Sequence, residues 1–401
     1  MSFQQGLSGL NAAAKNLDVI GNNVSNANTV GFKQSQAQFA DVYANSLTGA
    51  GGSQVGIGVK VSEVAQQFTQ GNITATNNPL DIAVNGGGFF RMDNGGEVTY
   101  QRNGQFQLDR MGFIVNPTGA KLTGYVANAS GVLSTGAPAP LSINTSDLVP
   151  NVTTTVNAVL NLDSRSTVPV AAFNQNDPTT FNNSTAVSVY DSLGNPHTLQ
   201  TYFVKSGPGA WDAYASMDGG PAFTAGSLAF NTSGALTAGS PITIAPQLVT
   251  TGASPLGFSI DLTGTTQFGS SFSVNTLNQD GYTSGRLAGF NIGADGMVLG
   301  RYTNGQAAVL GQVVLANFSN PNGLQQLGNN MWAESSESGT PLVGAPDSGN
   351  LGVLQSSAVE DSNVDLTAEL VNMITAQRVY QANAQTIKAQ DAVLQTLVNL
   401  R

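Results

Sequence analysis

The chain has 401 residues, 9% charged and 40% hydrophobic, with 47 Gly, 16 Pro, one His, no Cys and a net charge of −10. Such a chain can bury cores in several domains, but it offers no disulfide, no thiolate chemistry and no multi-histidine metal site. It also lacks a basic stripe to neutralise nucleic-acid phosphates and an apolar run long enough to span a bilayer, so neither nucleic acid nor membrane insertion is expected.

Phe3, Leu7, Leu10, Ala14, Leu17, Gly21 and Val24 are spaced alternately by four and three residues, which predicts a heptad helix with a helical partner. Asn22, Asn23, Asn26 and Asn28 then interrupt it, and Gly31 offers a turn. The spacing of Phe32, Gln36, Phe39 and Tyr43 predicts a short helix. Residues 44–58, with Gly49, Gly51 and Gly52, form an uncharged, Gly-rich connection. Together with the Asn cluster and Gly31, these glycines are candidate hinges. Residues 59–64 alternate as a strand.

β patterning begins at residues 80–84. Asn85-Gly86, Asn94-Gly95 and Asn103-Gly104 predict hairpin turns. From Ser142 the composition shifts to Thr, Val, Ser and Pro, and short strands at 187–190, 199–203 and 211–214 predict a sandwich or barrel. His197 follows Pro196 in a turn, where a solvated loop histidine is expected. Patterning from 285 to 318 resumes and completes the first β domain.

The stretch from Ser362 to Arg401 contains no Gly and no Pro. Leu366, Leu370, Met373, Gln377, Tyr380, Ala384, Ile387, Asp391, Leu394 and Val398 repeat the heptad spacing. A helix of about 36 residues would be ~54 Å long. Ser362 and Asp365 predict a capping box. Val371, Ile374, Val393, Leu397 and Leu400 lie off the seam, and a second apolar stripe calls for a second neighbour. Gln377 and Asp391 fit a register-setting role or a solvated seam. The fold class expected is therefore α+β, mainly β. The terminal helices pair as a coiled coil (1–33 and 359–401), a connecting segment follows (34–70, loop, short helix and strand), and antiparallel sandwich or barrel-type β domains nest between (71–143 with 285–358, and 144–284).

Chemistry is hard to locate. Glu360 and Asp361 are adjacent and sit where a helix begins, which favours negative charge. Asp93, Asp109, Asp261 and Asp280 nominate no converging pair of the kind a glycosidase needs. No G-x-S-x-G, P-loop or calcium-loop pattern occurs. No cofactor, metal or enzymatic activity is expected, and an extracellular carbohydrate-active enzyme would require an acid pair that does not stand out.

The run LDVIGNNVSNANTVGFK at residues 17–33 resembles the Asn-rich motif of bacterial flagellar rod and hook axial proteins. The opening MSFQQGLSGLNAAAKNLDVIGNN, the segments GGFFRM and TYQRNGQFQLD, and the C-terminal SNVDLTAELVNMITAQRVYQANAQTIKAQDAVLQTLVNLR are similar to the same family, its hook members in particular. The resemblance implies a homopolymer: a curved, flexible tube acting as a universal joint between rod and filament, with the heptad residues at the interfaces. It also implies distal rod, hook cap, hook-length control and hook–filament junction proteins as partners. The location implied is the extracellular flagellum, reached through the flagellar type III export apparatus; an N-terminus without a basic, then apolar, leader fits that route. The rival within the family is a distal rod protein, a rigid shaft that generally lacks the domain inserted after Ser142.

Overall fold

The computed structural model describes residues 2–42, 56–128 and 131–399. Gly49, Gly51, Gly52 and Tyr43, and the side chains of Leu397, Val398 and Leu400, lie outside the described residues. Two compact units emerge, Met1–Asn144 with Gly289–Gly300 and Ala307–Arg401, and Thr145–Ala288 with Arg301–Gln306.

In the first unit, helix α1 (Ser2–Ser25) and helix α2 (Leu366–Asn399) pack together. The chain between Ser25 and the β region departs from the sequence reading. The segment expected as a short helix is strand β1 (Ser35–Val42), paired antiparallel with β2 (Gly58–Gln66). Burial alternates at its start, with Ser35 and Ala37 inward and Gln36 and Gln38 outward. That is a strand's period of two, and Ser35 and Ala37 are too small for it to register as hydrophobic alternation.

Two short ladders tie the outgoing chain to the returning one. Strand β3 (Ile73–Ala75) pairs with Ala358–Glu360, and β4 (Ile82–Asn85) pairs with Val353–Ser356, both antiparallel. Beyond them, β5 (Phe89–Asn94) and β6 (Glu97–Gln101) form a hairpin within a larger sheet. Phe89, Tyr100, Phe318 and Trp332 pack edge to face over it. Of the three Asn-Gly pairs, Asn94-Gly95 closes a hairpin, whereas β4 and β5 pair with other strands and Asn85-Gly86 only links them. Gly104 is required by contact: its carbonyl accepts from the Ile82 N–H at 2.9 Å, and a Cβ there would collide with the Ile82 carbonyl.

The second unit is a sandwich. A four-stranded sheet ordered Ile242–Gln247, Leu256–Asp261, Thr155–Asn161, Ser273–Gln279 faces a five-stranded one running from Asn183–Tyr190 to Leu236–Ala238 in chain order. Pairing between the named strands is antiparallel except between Thr155–Asn157 and Ser259–Asp261, which run parallel, and an isolated bridge joins Asn161 and Thr266 in parallel. Leu160, Leu162, Leu199, Phe203 and Trp211 fill the core between the sheets.

Candidate assembly surface

The helices run antiparallel, since Gly6 faces Ile387, Gly9 faces Asn383, and Asn23 bonds Glu369. The face of α1 that is buried or half-buried here is made mostly of small and polar residues, Gly6, Gly9, Ala13, Asn16 and Asn23, with Ile20 among them, again at heptad spacing. Its logic is close approach. A Cβ on Gly6 would lie 3.1 Å from Ile387 Cγ1, and one on Gly9 would lie 2.7 Å from Asn383 Oδ1. Small residues let the backbones come together, so this stripe meets α2, while the bulkier stripe is exposed at its start and half-buried beyond.

The sequence-derived interface residues are placed accordingly. Phe3, at 46% exposure, and Leu7 are exposed, while Leu10, Ala14, Leu17 and Val24 are half-buried. On α2, Met373, Ala384 and Ile387 are half-buried, and Leu366, Leu370, Ile374, Tyr380 and Leu394 are exposed, as is Val371 at 58%. Gln377 and Asp391 also face outward, which removes the register-setting reading within the helix pair. The cap is corrected as well. Asp365 is the N-cap, its Oδ1 accepting from the N–H groups of Thr367 and Ala368 at 2.9 and 3.1 Å, and Ser362 caps no helix.

Beside the helix pair lies a buried ion cluster that the sequence reading missed. Lys33 Nζ donates to Glu360 Oε1 at 2.7 Å and to the Thr69 carbonyl at 2.7 Å. Arg102 Nη1 donates to Glu360 Oε2 at 3.2 Å, and its Nη2 to the Gly86 carbonyl at 2.6 Å. The Gly71 N–H donates to Glu360 Oε1, and the Gly31 N–H to the Glu360 carbonyl. Glu360 is therefore not a solvated helix-start charge. It joins the segment after α1, the connecting segment and β domain of the first unit, and the return strand. Burial pulls the pKa of Lys33 down against the upward pull of Glu360, and acts on Arg102 in the same sense. Two cations around one carboxylate leave the cluster dependent on Glu360.

The Asn-rich turn is partly pinned. α1 continues through Asn22 and Asn23 to Ser25. Asn23 is buried and grips Ser35, accepting from its N–H at 2.9 Å and donating to its carbonyl at 2.8 Å. Gln34 Nε2 donates to Glu369 Oε1 at 2.7 Å, and Asn363 accepts from the Gln34 N–H. Gly31 has φ +71 and sits against Asn103, where a Cβ would come within 2.5 Å of the backbone nitrogen. Asn22, Asn26 and Asn28 stand nearer the surface, with Asn26 Nδ2 bonded to the Asn22 carbonyl.

In the second unit His197 is buried rather than solvated. Its Nδ1 lies 2.6 Å from Asp218 Oδ2 and its Nε2 lies 3.2 Å from Asp191 Oδ2, to which Thr251 also donates. Two carboxylates on two ring nitrogens require both to carry hydrogen, which is the imidazolium. Burial pulls the pKa of His197 down, and the bonds to Asp218 and Asp191 outweigh it, so the net shift is upward. Among the described residues no group of three His, Cys, Asp or Glu is placed to hold a metal, and no helix is long and apolar enough to cross a membrane.

Comparison with known proteins gives four family matches: "Flagella basal body rod protein" over 3–33, "Flagellar hook protein FlgE/F/G D1 domain" over 83–157, "Flagellar basal body protein FlaE D2 domain" over 161–282, and "Flagellar basal body rod FlgEFG protein C-terminal" over 355–400. Over its whole length the chain is 46% identical to the flagellar hook protein FlgE of Salmonella typhimurium and 44% identical to that of Escherichia coli, covering 100% of each. It is 32% identical to that of Borreliella burgdorferi, covering 99% of it. Among solved structures, the Helicobacter pylori flagellar hook protein FlgE2 shares the fold at a TM-score of 0.56 and 14% identity, over 72% of this chain and 100% of that one.

Proposed function

The chain belongs to the flagellar hook protein family, a structural rather than enzymatic family, and from that premise we propose how this hook subunit works. Copies assemble through the terminal helices into a tube, by a heterologous contact that repeats without closing. The carrying observation is the apolar stripe that each helix leaves outside the pair: Phe3 and Leu7 on α1, and Leu366, Leu370, Val371 and Ile374 on α2. Side chains of this size in a continuous stripe require a neighbour, and α1 and α2 do not supply it to one another.

The tube is a universal joint that passes torque from rod to filament. Asn23 and Gly31 act as pins that hold the angle between α1 and the β region, and the less buried Asn22, Asn26 and Asn28 supply compliance between them. The Gly-rich connection with Gly49, Gly51 and Gly52 adds to it. The partners are the distal rod, hook cap, hook-length control and hook–filament junction proteins. The subunit is exported through the flagellar type III apparatus and works outside the cell. Full-length similarity to hook proteins, the second unit included, favours this reading over a rod shaft.

Electron microscopy of flagella from cells lacking this gene tests it. Loss of the curved segment between rod and filament is expected, and an intact hook refutes the reading.

A further inference from the structure

Five Asn-Gly pairs occur in the chain: Asn85-Gly86, Asn94-Gly95, Asn103-Gly104, Asn304-Gly305 and Asn322-Gly323. An Asn followed by Gly can cyclise, because glycine has no side chain to obstruct its own amide nitrogen as that nitrogen approaches the Asn side-chain carbon. The unfolded chain offers this chemistry at every pair, but the fold treats the pairs unequally. The Gly86 N–H is occupied: it donates to Gln70 Oε1 at 3.0 Å, while Asn85 Oδ1 accepts from Gln70 Nε2 at 3.3 Å. Asn103 Oδ1 accepts from the Gln105 N–H at 2.9 Å, and Gly104 is packed against the Ile82 carbonyl. Asn304 is held through both side-chain atoms, Nδ2 donating to the Thr283 carbonyl at 2.7 Å and Oδ1 accepting from the Gln306 N–H at 3.1 Å, and the Gly305 N–H donates to the Tyr302 carbonyl. The Gly323 N–H donates to the Asn320 carbonyl at 3.1 Å, and Gly323 is packed against the backbone of Glu337 and Ser338.

Asn94 is different. It ends β5, and Gly95 and Gly96 make the turn into β6, with all three exposed. A Cβ on either glycine would meet nothing within 4 Å. Among the described residues neither the Asn94 side chain nor the Gly95 N–H has a hydrogen-bond partner, since the side-chain bond that closes the turn runs from the Gly96 N–H to Asp93 Oδ1. We infer that Asn94 is a site of spontaneous covalent modification: deamidation through a succinimide formed with Gly95. The Gly95 nitrogen attacks Asn94 Cγ. The N–Cγ bond forms, the Cγ–Nδ2 bond breaks, and ammonia leaves with the proton that the Gly95 nitrogen gives up. Water then opens the ring. Its attack at Cγ leaves aspartate at this position, and its attack at the backbone carbonyl carbon leaves isoaspartate, with the chain running through the former side chain. Either product sets a carboxylate across the ladder from Glu97 and next to Asp93. Like charges directly opposed weaken a strand pair, so the modification loosens the tip of the β5–β6 hairpin.

The test is to age the folded full-length chain in mildly alkaline buffer, sample it over days, and map its peptides by mass spectrometry with fragmentation that separates aspartate from isoaspartate. The Asn94 amide should be lost at least about tenfold faster than that of any other Asn-Gly pair, because a local opening that costs about 1.4 kcal/mol already holds a locked pair back by that factor. The same chain kept unfolded in denaturant should bring the rates together, since the order comes from the fold. An Asn94 amide that survives while another pair reacts overturns the inference. So do equal rates in the folded chain, and so does an Asn94 lead that persists undiminished in denaturant, which would place its cause in the neighbouring sequence.

Discussion

The helix pair and the sandwich treat their apolar residues in opposite ways. In the sandwich Leu160, Leu199 and Trp211 are fully enclosed, and the two sheets cover each other. In the helix pair the buried face of α1 is mostly Gly, Ala and Asn with Val19 and Ile20, and on α2 Leu370, Val371 and Ile374 face outward. The sandwich is complete within one chain, as an independent domain is. In the assembly proposed above, the helices are one half of an interface whose other half is more of the same protein. On that proposal, stability in the first region depends on assembly, and in the second it does not.

The strongest way to break this contrast is at Glu360. Replacing it by Gln leaves Lys33 and Arg102 buried without a counter-charge, a defect that costs about 3–5 kcal/mol. Calorimetry of the full chain should show the first unit's transition falling while the sandwich transition stays in place. A joint fall of both would mean that the regions are not energetically separate. The reciprocal change is Leu160→Ala, which empties part of the sandwich core at about 2–5 kcal/mol. It should lower the sandwich transition alone and leave tube formation intact, as judged by microscopy of assembled material.

These two sites also show what sequence can and cannot disclose. The heptads at both ends are legible because helical period and the absence of Gly and Pro in the last segment are local properties, and so are the strands around 187–190 and 199–203. Which face of each helix meets the other is not. The bulkiest stripe reads as the seam, but packing favours the stripe of Gly6, Gly9 and Ala13, where backbones can approach most closely. Glu360 reads as a helix-start charge because its partners stand 327 and 258 residues away. His197 reads as solvated because Pro196 marks a turn, while Asp218 and Thr251 come from other parts of the sandwich. The scarcity of charge is the available signal: in a chain with 14 Lys and Arg, Lys33 within TVGFK and Arg102 within TYQRNG each invite a search for a carboxylate.

His197 sharpens the contrast through pH. Its folded pKa lies above the ordinary histidine value, so the folded sandwich binds the proton more tightly than the unfolded chain does. The stabilisation is fully present below the unfolded value and is lost as pH rises through the folded one. Denaturant unfolding from neutral to alkaline pH should weaken the sandwich transition across that window. His197→Gln should remove this component of the pH dependence. A wild-type sandwich transition that strengthens or holds constant across the window would contradict the imidazolium assignment.

The smallest expected effect on the isolated chain is the most informative about its purpose. Leu370→Ser with Ile374→Ser alters two exposed positions on the outer face of α2. Surface changes of this kind usually move stability within about 0.5 kcal/mol each, so the unfolding transitions of the unassembled subunit should scarcely shift. Assembly should fail, because the proposed tube contact covers those positions, and each serine would then forfeit roughly 1.5–3 kcal/mol of apolar burial at every repeated contact. Light scattering and microscopy read the second outcome, calorimetry the first. If the variant polymerises as the parent does, the outer stripe is not the contact, and the incompleteness of the helix pair must be made good elsewhere. If it unfolds more readily as a monomer, the stripe already has an intrachain role and the contrast with the sandwich weakens. Only an unchanged monomer that cannot build tubes matches a helix pair whose exposed face is reserved for its neighbours.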